Sequence, residues 1–391
     1  MFLASSALAA GFQVDVHGSR ATGMATAVTA SVDDASSVFF NPAGLAGKKG
    51  LDIYLGDTLI IPSFTYSGPD GTTKTTPGVI PPPHLYVAYG ITDSAAVGVG
   101  LFSLYGSAIH WPNNSTWPGR FQITDSTLST YYINPEVAFK VGMLHVGVGV
   151  QVVRATVDLK RQTNFFDSET EATTELGGGS WGVGGNLGVQ VDAIPKILQF
   201  GATYRSGVKL NFDGNAHFSN VPSEFAGAVR DQALRTSVTL PDTLALGVAV
   251  HPIPTLLVGF DAVYTAWQKL HDLSFHFDDP SLDQVEYKRW HSTVNFHLGS
   301  ELNVSDNFDV RLGLLLDPTA SPSSTLGPDL PDSTRLNIAA GVGFHTGGFR
   351  ADLGYQYVII MKTTSTNPVF GNGATYNGNA QVLGLSIGYR L

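Results

Sequence analysis

Leu383-Gly384-Leu385-Ser386-Ile387-Gly388-Tyr389-Arg390-Leu391, the last nine residues, place a large apolar side chain at every second position, with Gly, Ser or Arg between them. A period of two is that of an extended strand, whose successive side chains point to opposite faces. The same alternation runs through Val146, Val148, Val150 and Val152 against Gly147, Gly149 and Gln151, and through Leu244, Leu246, Val248 and Val250 against Ala245, Gly247 and Ala249. It recurs at Leu336, Ile338, Ala340, Val342 and Phe344 against Asn337, Ala339, Gly341 and Gly343. In a strand with one face in water, the second parity would carry Lys, Glu and Thr. Here it carries glycine repeatedly, with Asp261, Glu301, Asp309, Arg311, Arg350 and Asp352 on the same parity. An apolar outside over a small-residue, polar inside is the pattern of a transmembrane β-barrel.

Composition points the same way. Charged residues make up 14% of the 391, and 44 are glycine; soluble domains average about 25% and 7%. No run approaches the roughly 18 uninterrupted apolar residues that a spanning helix needs. An all-β chain that lives in a bilayer must close on itself, because every backbone N–H and C=O needs a partner where water is absent. The net charge of −10 argues against nucleic acid as a partner, since that binding requires a basic surface. The absence of cysteine is compatible with an oxidising compartment.

The connections alternate in length. Short turns are expected at 91–94, 141–144, 192–197, 251–255, 304–307 and 345–348, and long loops at 67–83, 106–126, 160–178, 213–237, 277–284, 317–333 and 363–375. Short periplasmic turns and long outer loops give about fourteen antiparallel strands over residues 50–391, with both termini inside. Tyr54, Tyr86, Tyr204, Tyr264, Trp267, Tyr355 and Tyr357 are expected in the interfacial girdles. Residues 1–10 read as the remnant of a signal peptide, rich in Ala and Ser, with the mature chain starting near Gly11. Residues 11–49 lack the period of two; Asp33 and Asp34 can cap a short helix that stops near Asn41-Pro42. Their small residues match a glycine-lined interior, which favours a helical plug in the lumen.

Asn41-Pro42-Ala43-Gly44-Leu45, following Asp33-Asp34-Ala35, resembles the plug motif of the FadL-type long-chain fatty acid transporters. Further stretches resemble that family in order along the chain: Trp117-Pro-Gly-Arg-Phe121, Asn134-Pro-Glu-Val-Ala138, Leu240-Pro-Asp242, Tyr264-Thr-Ala-Trp267, Asp317-Pro318 and Leu330-Pro-Asp332. The resemblance implies a fourteen-stranded outer-membrane barrel with an amino-terminal hatch, containing the Asn41, Pro42 and Ala43 motif. It implies a monomeric, passive channel for hydrophobic molecules, most of all long-chain fatty acids, with no cofactor, no metal and no catalytic residue. Its partners would be the substrate, outer-membrane lipids and the barrel assembly machinery. The family's lateral gap falls on Ser103, Leu104, Tyr105 and Gly106, where the third strand would kink inward. Arg161 matches the first of two cations near a fatty acid carboxylate, and Lys288 or Arg289 the second. One departure is the terminal Leu391, where such barrels usually end in an aromatic; Tyr389 keeps one two positions earlier.

In the loop 213–237, Phe225 and Val229 fall on one face at helical spacing, which would give an outer helix with an apolar landing groove. If the cation matches fail, a neutral aromatic or aliphatic hydrocarbon becomes the better substrate. An outer-membrane lipase or protease is the rival from another class. Gly178-Gly-Ser180-Trp-Gly182 has the letters of a nucleophile elbow, which needs a strand before it and a helix after it; an alternating strand follows instead. His291 and His297 share a parity with Glu301, more in keeping with polar lumen packing than with acid–base chemistry. A general porin is disfavoured by the plug and the glycine-lined wall.

Overall fold

The computed structural model describes residues 11–165, 171–227 and 229–391; the stretch 1–10, expected to be a signal-peptide remnant, lies outside the described residues. Twenty strand segments form one antiparallel sheet, and six of them continue a preceding segment across a break, so the wall has fourteen strands. Closure is made by strand 1 (Gly50–Gly68) and strand 14 (Thr375–Arg390), paired from Asp52↔Arg390 to Ser67↔Thr375. Leu383 to Arg390 lie on this seam. Leu385 is 59% exposed and Ser386 1%, which fixes the large apolar parity outward. The short connections lie where the sequence places them. One of the two-residue turns joins strand 12 (Arg335–Thr346) to strand 13 (Phe349–Thr364), where Gly347 takes a φ of +56°, a left-handed conformation that glycine adopts at no steric cost.

Residues 11–49 lie against the inward parity all round the wall, and this contact accounts for many of the inward glycines. A Cβ on Gly354 would stand 2.5 Å from the Ser19 carbonyl oxygen, one on Gly201 2.4 Å from that of Thr29, and one on Gly299 2.4 Å from that of Met24. The segment forms only the short helices Ser19–Gly23 and Ser37–Phe40 and a 3₁₀ turn, Pro42–Leu45. Asn41 sets that turn: its Oδ1 accepts from the Ala43 N–H at 3.2 Å, while its Nδ2 donates to the carbonyls of Thr29 and, on the wall, Val189. Inward charges tie segment to wall. Arg20 pairs with Glu301 at 2.8 Å, Arg311 with Glu301 at 2.6 Å and Asp352 at 2.7 Å, and Arg350 with Asp34 at 3.0 Å.

Two expectations need correction. Tyr54, Tyr86 and Trp267 are 1%, 0% and 1% exposed and point inward, so they are not girdle residues, whereas Tyr204, Tyr355 and Tyr357 do face outward. Tyr54 and Tyr86 are register partners on the inward parity, where the Tyr54 hydroxyl donates to Asp352 Oδ2 at 3.1 Å, and Trp267 packs on Phe12, so inward polar and aromatic partners hold all three. Residues 222–234 form turns and then strand rather than a helix among the described residues. The Gly178 to Gly182 stretch lies inside strand 6 (Glu171–Ile194), where no elbow can form. His297 bonds Thr26 Oγ1 at 2.8 Å, in lumen packing.

Candidate functional site: an outer cavity and a break in the wall

A cavity of about 760 Å³ opens in the outer half of the barrel, within the usual range for small-molecule sites. Leu128, Val157, Leu176, Phe212 and Phe275 supply apolar wall, and Phe12 of the lumenal segment lines it from within. Phe12 sits in an aromatic box, its ring 5.0 Å from that of Trp267, 5.9 Å from Tyr105 and 6.0 Å from Trp290.

Arg161, Lys288 and Arg289 all line this cavity, although they come from distant parts of the chain. They are not equivalent. Lys288 is 5% exposed, and its Nζ lies 2.5 Å from Asp329 Oδ2 and 3.1 Å from Glu286 Oε2. Burial disfavours its charge, but the carboxylates of Asp329 and Glu286 outweigh burial and hold the ammonium above the usual lysine range. Arg289 is exposed, with φ +49° and its guanidinium over the Tyr287 ring at 5.2 Å. Arg161, half-buried on strand 5 (Leu144–Asn164), has no carboxylate within ion-pair distance among the described residues. Phe225 and Val229 do not line the cavity. Phe225 stacks on Phe165 at 4.8 Å, and the Val229 N–H donates to its carbonyl at 3.0 Å.

Strand 3 is broken between Ala95–Phe102 and Gly106–His110. Ser103, Leu104 and Tyr105 turn inward and are 2–3% exposed. The lumenal segment takes up their backbone groups: the Val14 N–H donates to the Leu104 carbonyl at 2.7 Å, the Gly106 N–H to that of Phe12 at 2.8 Å, and Gln13 bridges Tyr105. Gly106 is not among the positive-φ residues, so the kink does not depend on glycine's conformational freedom. The cause lies on the neighbouring strand. Strand 2 (Gly71–Lys74 and His84–Gly90) pairs with strand 3 only as far as Leu85↔Leu101, because Pro81-Pro82-Pro83 offer no N–H to a ladder. Beyond them one bond, from the Thr76 N–H to the His110 carbonyl at 2.7 Å, joins the two strands among the described residues. A second hollow of about 260 Å³ lies there, lined by Pro62, Phe64, Val79, Ile80 and Ile109. The proline run is visible in the sequence and was the signal for the break; reasoning from Gly106 alone overlooks it.

Residues 1–391 match the family described as outer membrane protein transport protein (OMPP1/FadL/TodX). The chain belongs to the FadL/TodX family. Among its relatives, the long-chain fatty acid transport protein of Escherichia coli strain K12 is 24% identical over 91% of this chain and 89% of that protein. Outer membrane protein P1 of Haemophilus influenzae is 23% identical over 92% and 88%. A crystal structure of a Pseudomonas aeruginosa FadL homologue superposes with a TM-score of 0.85 at 18% identity, covering 97% of this chain and 99% of that one. The Pseudomonas putida toluene transporter TodX superposes with 0.75 at 15%, covering 94% and 98%. As a FadL/TodX protein, the chain is an outer-membrane channel for hydrophobic compounds in a Gram-negative bacterium, and not an enzyme.

Proposed function

We propose that the channel carries long-chain fatty acids, with residues 11–49 acting as the hatch. The observation that carries this reading is Arg161: a guanidinium that makes no ion pair among the described residues, with Glu286 acting on it only through its field, beside the apolar walls of Leu128, Val157, Leu176 and Phe212. Such a fork binds a carboxylate through two parallel hydrogen bonds, and the apolar walls take the alkyl tail. From the cavity the substrate moves past Phe12 to the wall break between Pro81-Pro82-Pro83 and Ser103–Gly106, and leaves sideways into the bilayer. Transport runs down a gradient through a single barrel, which the assembly machinery inserts among outer-membrane lipids.

Lys288 favours a second reading. A cation already held by Asp329 and Glu286 adds little for an incoming anion, which suits a neutral hydrocarbon. Extraction of the folded protein followed by mass spectrometry of copurifying lipophiles tests the choice. Free acids of long chain are expected; hydrocarbons without acids would overturn the fatty acid reading.

A further inference from the structure

Two buried histidines that the transport route leaves unused meet where the lumenal segment touches the inward turn of strand 3. His17 is 0% exposed and His84 1%, with their rings 5.6 Å apart, edge to face. Nε2 of His17 bonds the carbonyl oxygen of Ser103. A carbonyl only accepts, so this nitrogen carries the proton of the neutral ring, and Nδ1 is left as an acceptor with no partner among the described residues. The ring packs against Phe39 at 4.6 Å and Phe102 at 6.0 Å. His17 thus extends by one side chain the contacts that Phe12, Gln13 and Val14 make to residues 104–106.

We propose that His17 is a proton-sensitive positioning residue: its neutral imidazole holds residues 12–17 on the inward turn of strand 3, and protonation releases them. Only the consequence for transport rests on the exit route described above. A proton on Nδ1 would put a full charge where no acceptor waits among the described residues. The surrounding groups do not relieve it. Arg205 lies over the same Phe39 and Phe102 rings, at 5.9 and 5.5 Å, and is itself a cation. From the wall, Tyr86 stacks on His84 at 5.6 Å, Tyr54 lies 6.2 Å from it, and Tyr132 stacks on Phe102 at 5.3 Å. Ser386 Oγ bonds His84 Nε2 at 3.2 Å. On the lumenal segment, the Asp34 carboxylate is held by Arg350 at 3.0 Å, and the half-buried Asp15 lies in the field of Arg335.

Burial pulls His17 down to about 4 against the Ser103 carbonyl, with Arg205 acting in the same direction as burial. A solvated histidine titrates at about 6.5. The closed state therefore binds fewer protons than the released one, so acid favours release, increasingly from about pH 6.5 down to about pH 4. From His17 alone, the open-to-closed ratio rises roughly 30-fold between about pH 7.5 and pH 5. Asp15 works against it: burial pushes its carboxyl up to about 6, so it takes up a proton in the closed state. The net change is then only a few-fold, and Asp15→Asn removes the offset.

The chain has no cysteine, so Val14→Cys is a unique reporter, buried at 0% exposure and reactive to a thiol reagent only when the segment leaves strand 3. Its labelling rate is normalised to that of the exposed Ser223→Cys at each pH, with heat-modifiable gel migration confirming a folded barrel. In the Asp15→Asn background, labelling should accelerate at least tenfold between about pH 7.5 and pH 5. His17→Gln, whose amide can still donate to Ser103 but does not titrate, should abolish that acceleration. No acid acceleration in the reporter, or an unchanged pH profile in His17→Gln, would overturn the proposal. The first result needs no histidine variant to fold. Uptake into liposomes is measured in parallel: acid-sensitive labelling with pH-independent uptake supports the latch and counts against the exit route instead.

Discussion

Arg161→Ala should weaken binding of a long-chain acid far more than binding of its methyl ester. In the proposed complex, the guanidinium makes a charge-assisted contact in a largely dehydrated cavity, worth on the order of 1.5 to 3 kcal/mol. That is roughly a ten- to hundredfold loss of affinity for the acid. Lys288 cannot replace it without giving up Asp329 at 2.5 Å and Glu286 at 3.1 Å. The tail contributes about 0.8 kcal/mol per buried methylene whatever the head group, so the ester should lose less than about threefold, near the spread of surface substitutions. Competition binding with a fluorescent acid, on detergent-solubilised protein of normal heat-modifiable migration, gives both affinities. Equal losses for acid and ester would mean that the substitution damages the cavity. Unchanged affinity for both would remove Arg161 as the anchor and leave the neutral-hydrocarbon reading.

Three further outcomes follow from the geometry. Asp329→Asn, by freeing one side of Lys288, should strengthen acid binding several-fold and leave the ester unchanged in the same competition assay; a weaker acid affinity would show that the pair only supports the loop. Pro81→Val combined with Pro83→Val restores two donors to strand 2, so uptake into liposomes should fall while the barrel stays folded; full uptake would place the exit elsewhere. Glu301→Gln removes the carboxylate shared by the half-buried Arg20 and the buried Arg311, leaving both cations short of a partner, and the resulting loosening of the lumenal segment should appear as raised ion conductance in planar bilayers. Conductance unchanged from the unsubstituted channel would mean that Gly-lined packing, not this charge pair, seats the segment.

The period of two, as along Leu383 to Leu391 and the matching stretches, determined the strands, their outward face and, with the short turns, the barrel's strand number. Those properties are local: alternation and turn length can be read from consecutive residues, and closure follows because a bilayer tolerates no unpaired edge. Arg161 and Lys288 were also legible as cavity cations, but only through resemblance to a family, since nothing in their own neighbourhoods singles them out. Tertiary structure decided the rest. Tyr54 and Tyr86 turn inward on the lumenal parity, where the Tyr54 hydroxyl donates to Asp352 and accepts from the Arg20 N–H and Tyr86 stacks on His84, partners that only the folded chain brings to them. Lys288 meets Asp329 across 41 residues, and His17 meets Ser103 across 86. Such contacts arise when the closed wall brings distant loops and the lumenal segment into one space, and no sequence period carries that information.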